Sequence, residues 1–173
     1  MNLKEYIRDV PDFPKPGIIF KDISPLLKSP KALSYVIDKL SEPFSKNNID
    51  AIAGVEARGF LLSSPLALKL DKPMIPIRKI GKLPYKTFRV SYDLEYGKDS
   101  LEIHKDAISP GDKVLIVDDL LATGGTINAC INLINQSGGV VNGLSFIIEL
   151  TQLKGRKILS SSKVHNIHSI IQY

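Results

Sequence analysis

VLIVDDLLATGGT, residues 114–126, runs from four branched apolar side chains straight into two carboxylates and then into a turn of small residues. A continuous apolar run of this kind reads as a strand buried on both faces, as in parallel sheets. Asp118 and Asp119 then leave the core at the strand's carboxyl end. The segment that follows, TINACINLINQSG (126–138), carries apolar residues at helical spacing and finishes on a glycine, so the turn opens a helix capped near Gly138. Gly124 and Gly125 let the backbone approach a ligand closely, while Thr123 and Thr126 add hydroxyls beside the free N–H groups of the helix N-terminus. Such a turn cradles phosphate. Its spacing is neither that of the GxxxxGK[ST] loop nor that of the GxGxxG fingerprint. A capping acid and a tight turn account for one aspartate and one glycine, but not for the whole set.

Outside this segment, AIAGV (51–55) and PMIPI (73–77) read as short buried strands, and Val140 to Leu150 as a longer one. Helical spacing covers Pro30 to about Asn47 and Gly59 to Leu70, the second with Pro65 inside it. The first nine residues suit a short helix ending before Pro11. Pro11, Pro14, Pro16, Gly17 and Pro25 make the next stretch irregular. Gly81 to Gly97 is basic, aromatic and too polar for core, and reads as a projecting loop or hairpin. Strands alternating with helices predict an α/β fold, a mainly parallel twisted sheet flanked by helices, with ligand beyond the carboxyl ends of the strands. The chain reads as a single domain over 1–173, with an N-terminal arm at 1–30, a loop at 81–100 and the strand, turn and helix at 113–139.

A hydrophobic share of 43% and a charged share of 24% are those of an ordinary globular protein. Cys130 is the sole cysteine, which excludes an intrachain disulfide and a cysteine-based zinc site. The N-terminal residues lack the apolar core of a signal peptide, and no apolar run suits a membrane span, so a cytoplasmic protein without membrane partners is expected. A net charge of +5 favours anionic partners. Arg78, Lys79, Lys82, Lys86 and Arg89 crowd into one segment, whereas other basic residues are spread among acidic ones.

Residues 114–126 closely resemble the signature with which type I phosphoribosyltransferases bind 5-phosphoribosyl-1-diphosphate (PRPP). FPKPGIIFKDISPLL (13–27), GVEARGF (54–60), IRKIGKLP (77–84), SYDLEYG (91–97) and ELTQLKGR (149–156) resemble the adenine-specific branch of that family over nearly the whole chain. The resemblance implies a purine-salvage enzyme that transfers the phosphoribosyl group from PRPP to adenine, giving AMP and pyrophosphate. It implies that Ala122, Thr123, Gly124, Gly125 and Thr126 hold the 5-phosphate and that Asp118 and Asp119 face the ribose hydroxyls, leaving open which of them makes the contact. Arg58 would meet the substrate. Arg78, Lys79 and Lys82 would take pyrophosphate, with the counterpart of Arg78 reaching across a homodimer interface.

The same resemblance makes 13–27 a hood over the base, with Phe20 stacked on the purine and backbone groups of Ile19 and Lys21 reading its edge. A backbone carbonyl and N–H match the amine and ring nitrogen of adenine, where a 6-oxopurine presents an acceptor instead. Glu95 is the candidate for proton exchange with the base. Mg2+ is implied as a cofactor held mainly by PRPP and water, so no dedicated cage is expected. Other purine bases stay open as substrates. A PRPP-sensing regulator that binds nucleic acid is the other reading, opposed by the intact SYDLEYG segment, the complete hood and the lack of an appended DNA-binding domain. His104, His165, His168 and Cys130 read as packing or surface residues.

Overall fold

The computed structural model describes residues 1–44, 49–94, 97–162 and 164–173. Met1–Lys39 and Leu40–Tyr173 cluster as two units. In the first, a single 3-10 turn at Leu3–Tyr6 is capped by the Asn2 side chain, which accepts the Lys4 N–H at 3.3 Å. The expected helix goes no further. So short a helix is marginal on its own, and Pro11 disfavours helical geometry at Val10. Instead β1 (Arg8–Pro11) pairs antiparallel with β2 (Ile19–Asp22), setting Val10 opposite Phe20 and Pro11 opposite Ile19. The proline-rich stretch is therefore more regular than its composition suggests. Asp12 turns the chain with φ +57° and accepts the Gly17 N–H at 2.7 Å. Phe13 meets Phe20 edge to face, 5.2 Å between ring centres.

Helix α1 (Ser24–Lys28) starts beside Asp22, which accepts both the N–H and the hydroxyl of Ser24. Helix α2 (Pro30–Ser41) begins on proline as expected but stops earlier than its apolar pattern implies. Pro43 disfavours helix at Glu42, and a 3-10 turn, Glu42–Phe44, takes over.

In the second unit, β3 (Ala51–Val55), β4 (Met74–Lys79), β7 (Lys113–Leu121), β8 (Val140–Glu149) and β9 (Ile167–Gln172) run parallel. A hairpin of β5 (Thr87–Leu94) and β6 (Gly97–His104) completes a seven-stranded sheet in the order β5-β6-β4-β3-β7-β8-β9. Helix α3 (Arg58–Leu70) follows β3, α4 (Gly125–Gln136) follows β7, and α5 (Gly155–Leu159) follows β8. The α/β fold is thus the expected one. Pro65 sits inside α3 without ending it. Among the described residues no helix is long and apolar enough to cross a membrane.

From β3 the chain moves one way along the sheet to β4, and from β7 it moves the other way to β8. The carboxyl ends of β3 and β7 therefore flank a topological switch point, where open α/β sheets take their ligands. The four residues Val114 to Val117 are fully buried, so β7 delivers its two aspartates from the centre of the core.

The hairpin corrects the reading of residues 81–97 as too polar for core. Leu101 and Ile103 are buried, and Phe88, Val90 and Tyr92 pack against the same core. The apolar residues alternate with Arg89 and Ser91 along β5, so one face is core and the other polar, and the mean polarity conceals it. Strand β9 was not anticipated. It is mostly half-buried, and pairing with β8 rather than an apolar run of its own defines it.

Candidate active site

Arg58 is the first residue of α3, where a cation opposes the helix dipole. Its partner lies across the switch point: Arg58 Nε stands 3.1 Å from Oδ2 of Asp119, whose side chain is only 4% exposed. Gly59 allows this approach, since a Cβ there would come within 2.8 Å of the Val117 carbonyl oxygen and 3.1 Å of Asp118 Oδ1. Asp118 Oδ1 accepts the Asp119 N–H at 2.9 Å. Among the described residues Asp119 Oδ2 accepts no hydrogen bond. Burial, and then the neighbouring Asp119 carboxylate, push the Asp118 carboxyl well above the usual range. Burial also raises Asp119, with Arg58 pulling against it. A pair of this kind is prepared to meet a partial positive charge or hydroxyl donors.

Beyond the acids, the turn at Ala122–Gly124 leads into α4, with Gly124 at φ +88° and Gly125 the first helical residue. The N-terminal turn of α4 borders a cavity of about 190 Å³ lined by Arg58, Asp118, Asp119, Leu120, Ala122, Thr123, Gly124, Thr126 and Ile127. The structure thus brings Arg58 together with the predicted acids and phosphate turn. Glycine is required at Gly124 by its φ, and the turn is backed by Gly155, where a Cβ would collide with the Ala122 carbonyl oxygen. The next residue, Arg156, binds buried Glu149 through two hydrogen bonds of 2.7 and 2.8 Å, and Arg156 holds the Glu149 carboxyl below its usual range. Cys130 is buried in α4, its thiol pushed well up by burial and then by Asp118, which suits packing and not nucleophilic attack.

Arg78 and Lys79 end β4, and each meets a carboxylate. Glu56, just past β3, accepts Arg78 Nε at 3.2 Å, Arg78 Nη2 at 3.1 Å and the Lys79 N–H at 3.0 Å. The Arg78 guanidinium holds the Glu56 carboxyl below its usual range. Lys79 Nζ donates to Asp99 Oδ2 at 2.7 Å, and the same oxygen accepts the Tyr92 hydroxyl at 3.3 Å. Thr126 Oγ1 in turn donates to the Tyr92 hydroxyl at 3.4 Å, which joins the basic strand end to the first turn of α4. Lys82 is exposed. Its backbone is fixed by Glu102, 1% exposed, which accepts the N–H groups of Lys82 and Leu83 and the Thr87 hydroxyl, and pairs with Arg89 at 3.3 Å.

Ile19, Phe20 and Lys21 lie on β2 in the first unit, with Ile19 exposed and Phe20 and Lys21 half-buried. Glu95 falls outside the described residues. Asp99, Tyr92, Glu102 and Gly155 escaped the sequence reading as site residues, because their roles depend on pairings across strands or on a close backbone approach that spacing does not encode.

A phosphoribosyl transferase domain model matches residues 22–144. An adenine phosphoribosyltransferase of Halothermothrix orenii is 56% identical over 167 residues, covering 96% of this chain and 98% of its own. The crystal structure of an adenine phosphoribosyltransferase from Rhodothermus marinus superposes with a TM-score of 0.93 at 53% identity, over 99% of this chain and 96% of that one. The Saccharomyces cerevisiae adenine phosphoribosyltransferase, solved with adenine and an imino-altritol bisphosphate, superposes with a TM-score of 0.90 at 39% identity, over 98% of this chain and 96% of that one.

Proposed function

The chain belongs to the adenine phosphoribosyltransferases of the phosphoribosyl transferase family, and on that footing we propose the roles its residues take in joining adenine to PRPP, with AMP and pyrophosphate as products. The enzyme is a pentosyltransferase of purine salvage. The observation that carries the assignment of roles is the adjacency of Asp118, Asp119 and Arg58 to the phosphate turn in one cavity at the switch point.

The 5-phosphate sits on the N–H groups of Ala122 to Thr126 at the α4 N-terminus, with the Thr123 and Thr126 hydroxyls beside them. As the bond from the anomeric carbon to the diphosphate oxygen breaks and a purine nitrogen forms its bond to that carbon, positive charge builds on the ribose. Asp118 and Asp119 face that charge and hold the ribose hydroxyls. Arg58 keeps Asp119 in place and meets the substrate's own anionic groups. Arg78, Lys79 and Lys82 receive the departing pyrophosphate, with Glu56 and Glu102 fixing the first and third in position. Adenine gives up its ring proton to Glu95, and Ile19, Phe20 and Lys21 read and stack on the base.

Among the described residues no three His, Cys, Asp or Glu side chains converge as a metal cage. Mg2+ would be held mainly by PRPP and water, with Asp118 and Asp119 the carboxylates nearest to it. When bound, Mg2+ supplies charge neutralisation to the diphosphate.

The whole chain serves as one phosphoribosyltransferase domain, a reading supported by a family match that begins in the first unit and ends in the second. It acts as a homodimer. In support, Leu61 and Leu68 stand 49% and 85% exposed, seven residues apart on one face of α3. A cytoplasmic location fits the free thiol of Cys130. In this reading the basic segment serves pyrophosphate and not nucleic acid, in keeping with the family to which the chain belongs.

The test is pyrophosphate release from PRPP and Mg2+ with adenine, hypoxanthine, guanine, xanthine or orotate supplied separately. Release with adenine alone, accompanied by AMP, is the expected result. Silence with all five bases overturns the reading.

A further inference from the structure

The two cations that end β4 are held in different ways. Arg78 is gripped at two nitrogens by Glu56, a bidentate pair that fixes its plane. Among the described residues Lys79 Nζ makes one contact, of 2.7 Å to Asp99, with the lysine side chain 57% exposed and the aspartate 22%. An ammonium carries three donors, so one bond to Asp99 orients Lys79 without exhausting it. The contact raises the pKa of the lysine and lowers that of the aspartate, so both groups are charged.

We propose that Asp99 is a resident counter-ion that Lys79 exchanges for pyrophosphate, and that this exchange sets how tightly the enzyme holds its leaving group. The inference rests on the role given to Lys79 above. The surroundings of Asp99 suit such an exchange. When Lys79 turns away, Asp99 keeps the Ser100 N–H at 2.8 Å and the Tyr92 hydroxyl at 3.3 Å, so its carboxylate is not stranded. The Tyr92 hydroxyl is itself held by Thr126 in the first turn of α4. Asp99 is thereby located relative to the phosphate turn as well as to the cation. The effect of the exchange is to weaken binding of the anionic product, since every pyrophosphate that takes Lys79 must first displace a carboxylate.

The experiment is a titration of pyrophosphate into the full chain, repeated for Asp99→Asn, Lys79→Met and the double variant, alongside pyrophosphate inhibition against PRPP. Asp99→Asn keeps the shape, and its amide can accept the Ser100 N–H through oxygen while donating to the Tyr92 hydroxyl through nitrogen. It is expected to bind pyrophosphate about fivefold tighter, the scale of one partly exposed ion pair. Lys79→Met is expected to bind it more weakly, and on that background Asp99→Asn should change nothing. If Lys79→Met weakens binding while Asp99→Asn leaves it unchanged, the counter-ion role is overturned and the pyrophosphate role of Lys79 stands. If Lys79→Met has no effect, both fall. A gain from Asp99→Asn that persists without Lys79 also overturns the proposal, because the aspartate then acts by general repulsion.

Discussion

Gly124 and Gly155 meet backbone to backbone: a Cβ on Gly124 would lie 2.8 Å from the Gly155 carbonyl oxygen, and one on Gly155 would collide with the carbonyl of Ala122. The turn that opens α4 thus rests, backbone on backbone, on a segment thirty-one residues further along the chain. Gly155→Ala forces the two apart at a cost of about 1–3 kcal/mol. The expected kinetic result is a KM for PRPP raised about tenfold with the KM for adenine little changed, because the strain falls on the phosphate turn. Steady-state kinetics with each substrate varied in turn checks this; equal rises in both KM values would place the damage elsewhere.

Glu149 and Arg156 secure that supporting segment. Glu149→Gln keeps the size but removes the charge, and is expected to destabilise the chain by about 2 kcal/mol, less than a fully buried pair because Arg156 is 42% exposed. The folded pKa of Glu149 lies below that of the unfolded chain. The pair's contribution is therefore complete above the ordinary glutamate range and is lost as pH falls through the folded pKa. Urea melts across the acid range should show the wild-type advantage over Glu149→Gln shrinking toward low pH.

Asp118 presents the opposite sign. Burial and Asp119 raise its folded pKa, so the folded state binds a proton where the unfolded chain has released it. The penalty is absent below the ordinary carboxylate range, grows as pH rises and is complete above the folded pKa. Asp118→Asn should accordingly abolish most activity yet melt about 2–4 °C higher at neutral pH, the shift of one kcal/mol in a chain of this size. The gain should vanish in acid. A thermal scan at both pH values, paired with an activity assay, tests it.

Glu56→Gln should act against Asp99→Asn. Glu56 places Arg78 and the Lys79 backbone, so the neutral variant frees the guanidinium from its two-point grip. We expect pyrophosphate to bind about tenfold more weakly, on the scale of a charge-assisted pair, with kcat also reduced. Tighter binding in both variants would show that the net charge of the strand end matters and its geometry does not.

Much of the site was legible because its residues are adjacent in sequence. The run from Val114 to Thr126 states strand, acids, turn and helix in one sentence of chain, and β7 and α4 form where it says. GVEARGF likewise announced Arg58, though not that Asp119 would be its partner. What stayed hidden was coupling between elements. Tyr92 and Asp99 face each other in the register of the β5–β6 hairpin, and neither residue type nor spacing reveals that pairing in advance. The N-terminal helix failed for a related reason: residues 8–11 take their hydrogen bonds from β2, a partner that local propensity does not see.

Glu102 carries a last consequence. It anchors the turn after β4 through the main-chain N–H groups of Lys82 and Leu83, and among the described residues reaches side chains at Thr87 and Arg89. Main-chain anchoring makes no demand on side-chain identity, so the path of the chain at residues 82 and 83 is held whatever side chains they carry. The turn behaves as a mount with interchangeable fittings, in which the residue proposed to meet pyrophosphate lies in the turn after β4 and the residue that holds its backbone lies on β6.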